Sequence, residues 1–371
     1  MTSSPGQATE PPPFQMPAHI HRGDMAPWWN HGRHTFLFDS LSGRYIVLGF
    51  YRTAADPDGE RGLRSLQQLG RFVDDGKAFL LGVSADPADQ AAYNVQARFP
   101  AVQVVLDDGA MYRAYGVGAG RLWIVLDPML RVVEMIPMRP DGEEDGRQLA
   151  ALLESLPPPA TFLGFEVGAP VLVLPHVFEP AFCRHLIDCH DRHGGRESGF
   201  MQEVAGKAVE QYDHAWKRRR DFMVTEEALI EQIKARFARR VGLMLQRAFQ
   251  FRMTRMERYL VACYAAEDGG HFGPHRDDTV RATAHRRFAA SINLNDDFEG
   301  GELEFPEFGP RRYKAPVGAA VVFSASLLHR VGTVTRGRRH AFLPFLHDEE
   351  AEKQRVANLR FLARPEGSPT P

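Results

Sequence analysis

The chain has 371 residues, 44% hydrophobic and 25% charged, with a formal net charge of -2. That length exceeds one ordinary domain core and predicts two domains of a soluble globular protein. The near-neutral charge excludes a global basic field for nucleic acid or membrane phosphates, and three cysteines (Cys183, Cys189, Cys263) without a CxxC pair exclude a disulfide scaffold and suit a reducing cytoplasm.

Residues 1–21 lack the charged start and apolar run of a signal peptide and are expected to be a disordered leader. No apolar run approaches the roughly 20 residues that cross a bilayer, so no membrane association is expected. "TFLFD" (35–39) and "YIVLGFY" (45–51) read as strands. "RGLRSLQQLGRFVDDG" follows with Leu63, Leu66, Leu69 and Val73 at helical spacing. "KAFLLGVSAD" reads as a buried strand, and "PADQAAYNVQARF" opens with a proline suited to a first helical turn. "VQVVLDD", "RLWIVLDP" and "VVEMIPM" are further strands, and "DGRQLAALLESL" is a helix. This alternation predicts an α/β layer with a largely parallel sheet. "LPPPA" (156–160) breaks the pattern and marks a boundary between domains at 22–158 and 159–366.

The second half starts with two helices. One is "PAFCRHLIDCHDRHG", with Phe182, Cys183, Leu186, Ile187 and His190 on a face. The other runs over 226–249, with Ile230, Ile233, Phe237, Val241 and Met244 on a stripe. Five short strand-like runs follow, "RYLVACYAA", "FAASINLND", "GELEFPEF", "AAVVFSAS" and "RRHAFLPFL". Helices followed by many short strands predict a β-sandwich or jelly roll with supporting helices.

Chemistry concentrates in "GGHFGPHRDD" (269–278). On a strand, His275 and Asp277 would project to one side, and an imidazole beside a carboxylate binds a divalent metal. His329, which follows the strand "GAAVVFSAS", is the candidate third ligand. Two histidines and one carboxylate form a facial triad that holds Fe(II) and leaves the opposite face open. Structural zinc fits less well, because it prefers four ligands, usually with thiolates, and no cysteine is suitably spaced. Arg339, ten residues past His329, offers a planar guanidinium that grips a carboxylate with two parallel hydrogen bonds. An open iron face beside such a clamp fits a keto-acid co-substrate.

These residues carry a specific resemblance. From "ERYLVACYAAEDGGHFGPHRDD" through "FAASINLNDDFEGGELEFPEFG" to "LLHRVGTVTRGRRHAF", residues 259–345 resemble the catalytic core of the 2-oxoglutarate/Fe(II)-dependent dioxygenases, prolyl 4-hydroxylase-like branch. The resemblance implies a double-stranded β-helix in which His275, Asp277 and His329 bind iron and Arg339 binds the co-substrate's distal carboxylate. It also implies that Tyr264 lines that pocket. The implied cofactors are Fe(II), 2-oxoglutarate and O2, with ascorbate in support. The implied reaction couples decarboxylation of 2-oxoglutarate to hydroxylation of a C–H bond, on a peptidyl or free amino acid or another small molecule. Phe272 and Thr333 depart from the branch, which carries tyrosine and proline there in many members. The competing function is a catalytically silent module that senses iron or 2-oxoglutarate or docks a partner. Oligomeric state is not legible.

Other polar residues are expected to be structural. His271 reads as pocket rim, Asp278 as facing away, Arg338 as the outward neighbour of Arg339, and "KRRRD" (217–221) as a solvated face. His185, His190 and His193 read as structural or exposed. "GVGAGR" (116–121) leads into a strand rather than a helix and is no dinucleotide site. In the first half, "FLFDSLSGRYIVLGFYRTAADP", "FLLGVSADPADQ" and "LDDGAMYRAYGV" resemble the peroxiredoxin branch of the thioredoxin fold. Those enzymes place a reactive cysteine three residues after a threonine; here Asp56 follows Thr53, and no cysteine precedes Cys183. The resemblance therefore implies a thioredoxin-like domain without peroxidase chemistry.

Overall fold

A computed structural model of the chain describes residues 20–27, 38–90, 92–118, 120–139, 143–204 and 206–362. The chain forms two compact units, one of residues 1–167 with 307–309, the other of 168–306 with 310–371. The leader expected over 1–21 lies outside the described residues except for Ile20 and His21, and Ile20 is buried in the core of the first unit.

The first unit is a thioredoxin-like α/β layer. Its five strands lie in the order Gln103–Leu106, Ala78–Ser84, Tyr45–Arg52, Leu122–Leu126 and Val132–Pro137. The first three pair in parallel and Leu122–Leu126 runs antiparallel to both its neighbours, so the sheet is mixed rather than largely parallel. Apolar runs cannot tell these apart: a strand buried on both faces looks alike in either direction. The central strand feeds two cores. Ile46, Leu48 and Phe50 face one, and Tyr45, Val47 and Tyr51 the other. The helix expected over 61–76 is two, Pro57–Gln67 and Gly70–Asp74, and it is Phe72 rather than Val73 that is buried. Of the strand expected over 35–39, residues 35–37 lie outside the described residues, and Phe38–Leu41 is a 3-10 turn.

Asp56, three residues after Thr53, is a helix cap. Its carboxylate accepts from the Gly59 amide at 2.6 Å and from Arg121 Nη2 at 2.7 Å.

The second unit is a jelly roll of two sheets with helices outside. The larger sheet runs through Arg255–Glu257, Phe345–His347, Phe288–Asn293, Arg338–Phe342, Leu260–Ala265, Arg220–Met223 and Arg196–Glu197; Ala320–Ser324 also pairs with Phe288–Asn293. The smaller contains Lys217–Arg218, His271–His275, His329–Val331, Leu303–Glu304 and Arg312–Tyr313. Alternation divides the larger sheet. Val261, Ile292, Val322 and Phe342 pack against Phe182, Leu186, Ile233 and Phe237 of the helices. Their neighbours Tyr264, Ser291, Asn293 and Arg339 take the other face.

The helix expected over 226–249 is continuous but carries a π-turn at Ala238–Gly242 between Glu227–Phe237 and Leu243–Phe249. The extra residue rotates the stripe, so Leu245 is buried where 3.6-residue spacing pointed to Met244.

Candidate functional site

His275 ends its strand directly opposite His329, which begins the neighbouring one, and the ring centroids are 4.3 Å apart. Asp277 lies beyond the strand end rather than on it, where its amide donates to the Ala325 carbonyl at 2.9 Å. A turn, not strand alternation, therefore brings its carboxylate to the two rings. His275 Nε2 is 3.6 Å from Asp277 Oδ1, and His329 Nε2 is 3.4 Å from Oδ2. Each imidazole donates its Nδ1–H to a backbone carbonyl two residues earlier, His275 to Gly273 at 2.8 Å and His329 to Leu327 at 2.9 Å. Those bonds select the tautomer with the Nε2 lone pair free. Burial, with His329 alongside, pushes the His275 pKa well down and keeps the ring neutral. Two imidazoles and a carboxylate suit a divalent first-row ion, and this set fits one. Phe272 stacks on His275 at 3.6 Å between centroids, so the departure from tyrosine falls against a candidate ligand.

Arg339 is opposite Tyr264 in the larger sheet and is 3% exposed. Nε donates to Asn293 Oδ1 at 2.9 Å and Nη2 to Ser291 Oγ at 2.8 Å, whereas the buried Nη1 has no partner among the described residues. A buried guanidinium with an open donor is a place for an acceptor such as a carboxylate. Arg338 faces outward and pairs with Glu267. His271 is tied by both ring nitrogens to the Gly269 and Ala215 carbonyls, and Asp278 pairs with Ser326.

The basic run at 217–221 is a solvated face only at Arg218 and Arg220. Lys217 and Arg219 are buried, because Asp221 binds Arg219 through both carboxylate oxygens at 2.6 and 2.7 Å and Ser198 accepts from Lys217. Arg219 Nη1 also donates to the Tyr264 hydroxyl at 3.2 Å. Burial and the adjacent Arg219 push the Lys217 pKa well below its ordinary value. Neither the buried cations nor the pair Ser291 and Asn293 gave a sequence signal as site residues. The residues at 217–221 have the composition of a surface run, and the other two are ordinary polar positions in a strand.

Residues 259–347 match the 2OG-Fe(II) oxygenase superfamily, and this part of the chain is a domain of that superfamily. A PKHD-type hydroxylase of Synechococcus sp. (strain JA-2-3B'a(2-13)) is 38% identical over 89 residues, which are 22% of this chain and 39% of that protein. The chain thus spans well under half the length of that curated relative. Among solved structures, a Pseudomonas putida prolyl-4-hydroxylase aligns with 48% of this chain and 94% of its own at 16% identity and a TM-score of 0.35. Peroxidoxin BcpB from Mycobacterium tuberculosis aligns with 38% of this chain and 99% of its own at 20% identity and a TM-score of 0.34. Among the described residues, no helix is long and apolar enough to cross a membrane.

Proposed function

We propose that the second unit is an Fe(II)- and 2-oxoglutarate-dependent dioxygenase that hydroxylates a C–H bond of an amino-acid, peptidyl or other small-molecule substrate. The observation that carries this reading is the convergence of two tautomer-fixed Nε2 atoms on the Asp277 carboxylate. His275, Asp277 and His329 would hold the ferrous ion, and Arg339 the distal carboxylate of 2-oxoglutarate through Nη1. Bound there, iron supplies O2 activation coupled to decarboxylation of the keto acid. The protein's part is to present lone pairs without reorganisation and to hold the co-substrate in one orientation. Ser291 and Asn293 fix the guanidinium plane, and Arg219 anchors the Tyr264 hydroxyl.

The test is succinate formation from 2-oxoglutarate with Fe(II), O2 and ascorbate, in wild type and in Asp277→Ala. Turnover in the wild type that is abolished in the variant supports the reading. Co-substrate binding without turnover in the wild type would favour the silent sensor instead, and full activity in Asp277→Ala would remove the ligand assignment.

A further inference from the structure

We propose that His190, Cys263 and His340 form a second metal site, for a thiolate-accepting ion such as Zn(II), on the opposite face of the sheet from Tyr264 and Arg339. The alternation that turns Tyr264 and Arg339 one way turns their neighbours the other. Cys263 and His340 are direct cross-strand partners on the face that meets the helix Pro180–His193, which supplies His190. The three donor atoms lie within 4.8 Å of one another. The two imidazole centroids are 5.1 Å apart with planes at 77°.

Burial makes this set unusual. His190, Cys263 and His340 are 4%, 6% and 6% exposed, and Nε2 of each histidine is buried without a hydrogen-bond partner among the described residues. Buried ring nitrogens are normally paired, so two orphans beside a free thiol call for a shared occupant. His190 Nδ1 is 3.1 Å from Asp191 Oδ1, the carboxylate–histidine arrangement that leaves Nε2 free for a metal. The same Asp191 oxygen is 3.5 Å from His340 Nε2, so this carboxylate orients the rings from outside the set. Asp191, with His185, Asp188 and Arg192, lines a surface depression of about 580 Å³.

A thiolate and two imidazoles are ligand types that zinc accepts in a tetrahedral array with its fourth position open, with bond lengths of roughly 2.0–2.3 Å. The donors would close by about 1 Å from their present separations to reach that geometry. The ion would bind the helix to the two strands that carry Tyr264 and Arg339.

Co(II) reports on the site, because a cobalt–thiolate bond gives an intense near-ultraviolet charge-transfer band and the His275–Asp277–His329 set has no sulfur. The probe is Co(II) titrated into the full chain carrying Asp277→Ala, which disables that set. The expected result is a thiolate band that saturates at one equivalent and is displaced by Zn(II). Adding Cys263→Ser is expected to abolish the band, and His190→Asn, on the helix, to weaken cobalt binding at least tenfold. Absence of the band in folded protein, or its persistence in the Cys263→Ser variant, would overturn the proposal. Should Cys263→Ser fail to fold, His190→Asn decides: unchanged cobalt affinity refutes the site.

Discussion

Replacing Arg339 by lysine keeps a positive charge but removes the fork, and so isolates what the guanidinium geometry contributes. In the wild type, Nε and Nη2 are committed to Asn293 and Ser291, leaving Nη1 for the co-substrate. A lysine ammonium has no planar array to satisfy both side chains and the ligand together. The loss expected at the co-substrate is one charge-assisted hydrogen bond, about 1.5–3 kcal/mol. That corresponds to roughly 10- to 150-fold weaker binding of 2-oxoglutarate. Calorimetric titration of 2-oxoglutarate into the Mn(II)-loaded protein measures it directly, with thermal melting as the check on folding. A folded Arg339→Lys protein that binds 2-oxoglutarate with wild-type affinity would refute the clamp.

Gly301→Ala places a Cβ 2.8 Å from Val334 Cγ2 and 3.1 Å from Arg339 Cδ at a φ of +69°, so it is expected to raise the KM for 2-oxoglutarate in the succinate assay. Phe237→Ala empties a fully buried position between Phe178 and Phe342 and is expected to cost about 3–5 kcal/mol, read as a lower urea midpoint. Asp56→Ala removes a cap and is expected to cost about 1 kcal/mol, also read from urea melts. At Glu257, burial opposes ionisation, but His285 and Arg286 more than offset it and hold the carboxyl down at about 2, against an ordinary 4.5. Because the folded value is depressed, its stabilisation is complete above the unfolded value and fades as pH falls from about 4.5 towards 2. At neutral pH it amounts to about 3 kcal/mol. Glu257→Gln is expected to flatten the fall in urea midpoint between pH 5 and pH 3; an unchanged slope would contradict the assignment.

Local periodicity made the helices and most strands legible, and short spacings made the site residues legible as candidates. Strand alternation says only that one of Arg338 and Arg339 points inward, and it is the family resemblance that picks Arg339. What the sequence concealed depends on pairing across the chain. Strand direction in the first unit leaves no trace in an apolar run. The π-turn at Ala238–Gly242 changes phase without any marker residue. Lys217 and Arg219 look exposed until Asp221, Ser198 and Tyr264 are placed around them. His190, Cys263 and His340 come from one helix and two strands, so no spacing rule could gather them.

The carbonyls that receive Nδ1 of His275 and His329 belong to the segments that bear those imidazoles, two positions upstream. The correct tautomer therefore needs no distant residue as its custodian. Substitutions elsewhere can reshape the cavity wall and leave the protonation pattern of both rings intact. An arrangement of that kind lets the substrate-facing surface drift over generations while the donor pair stays ready for use.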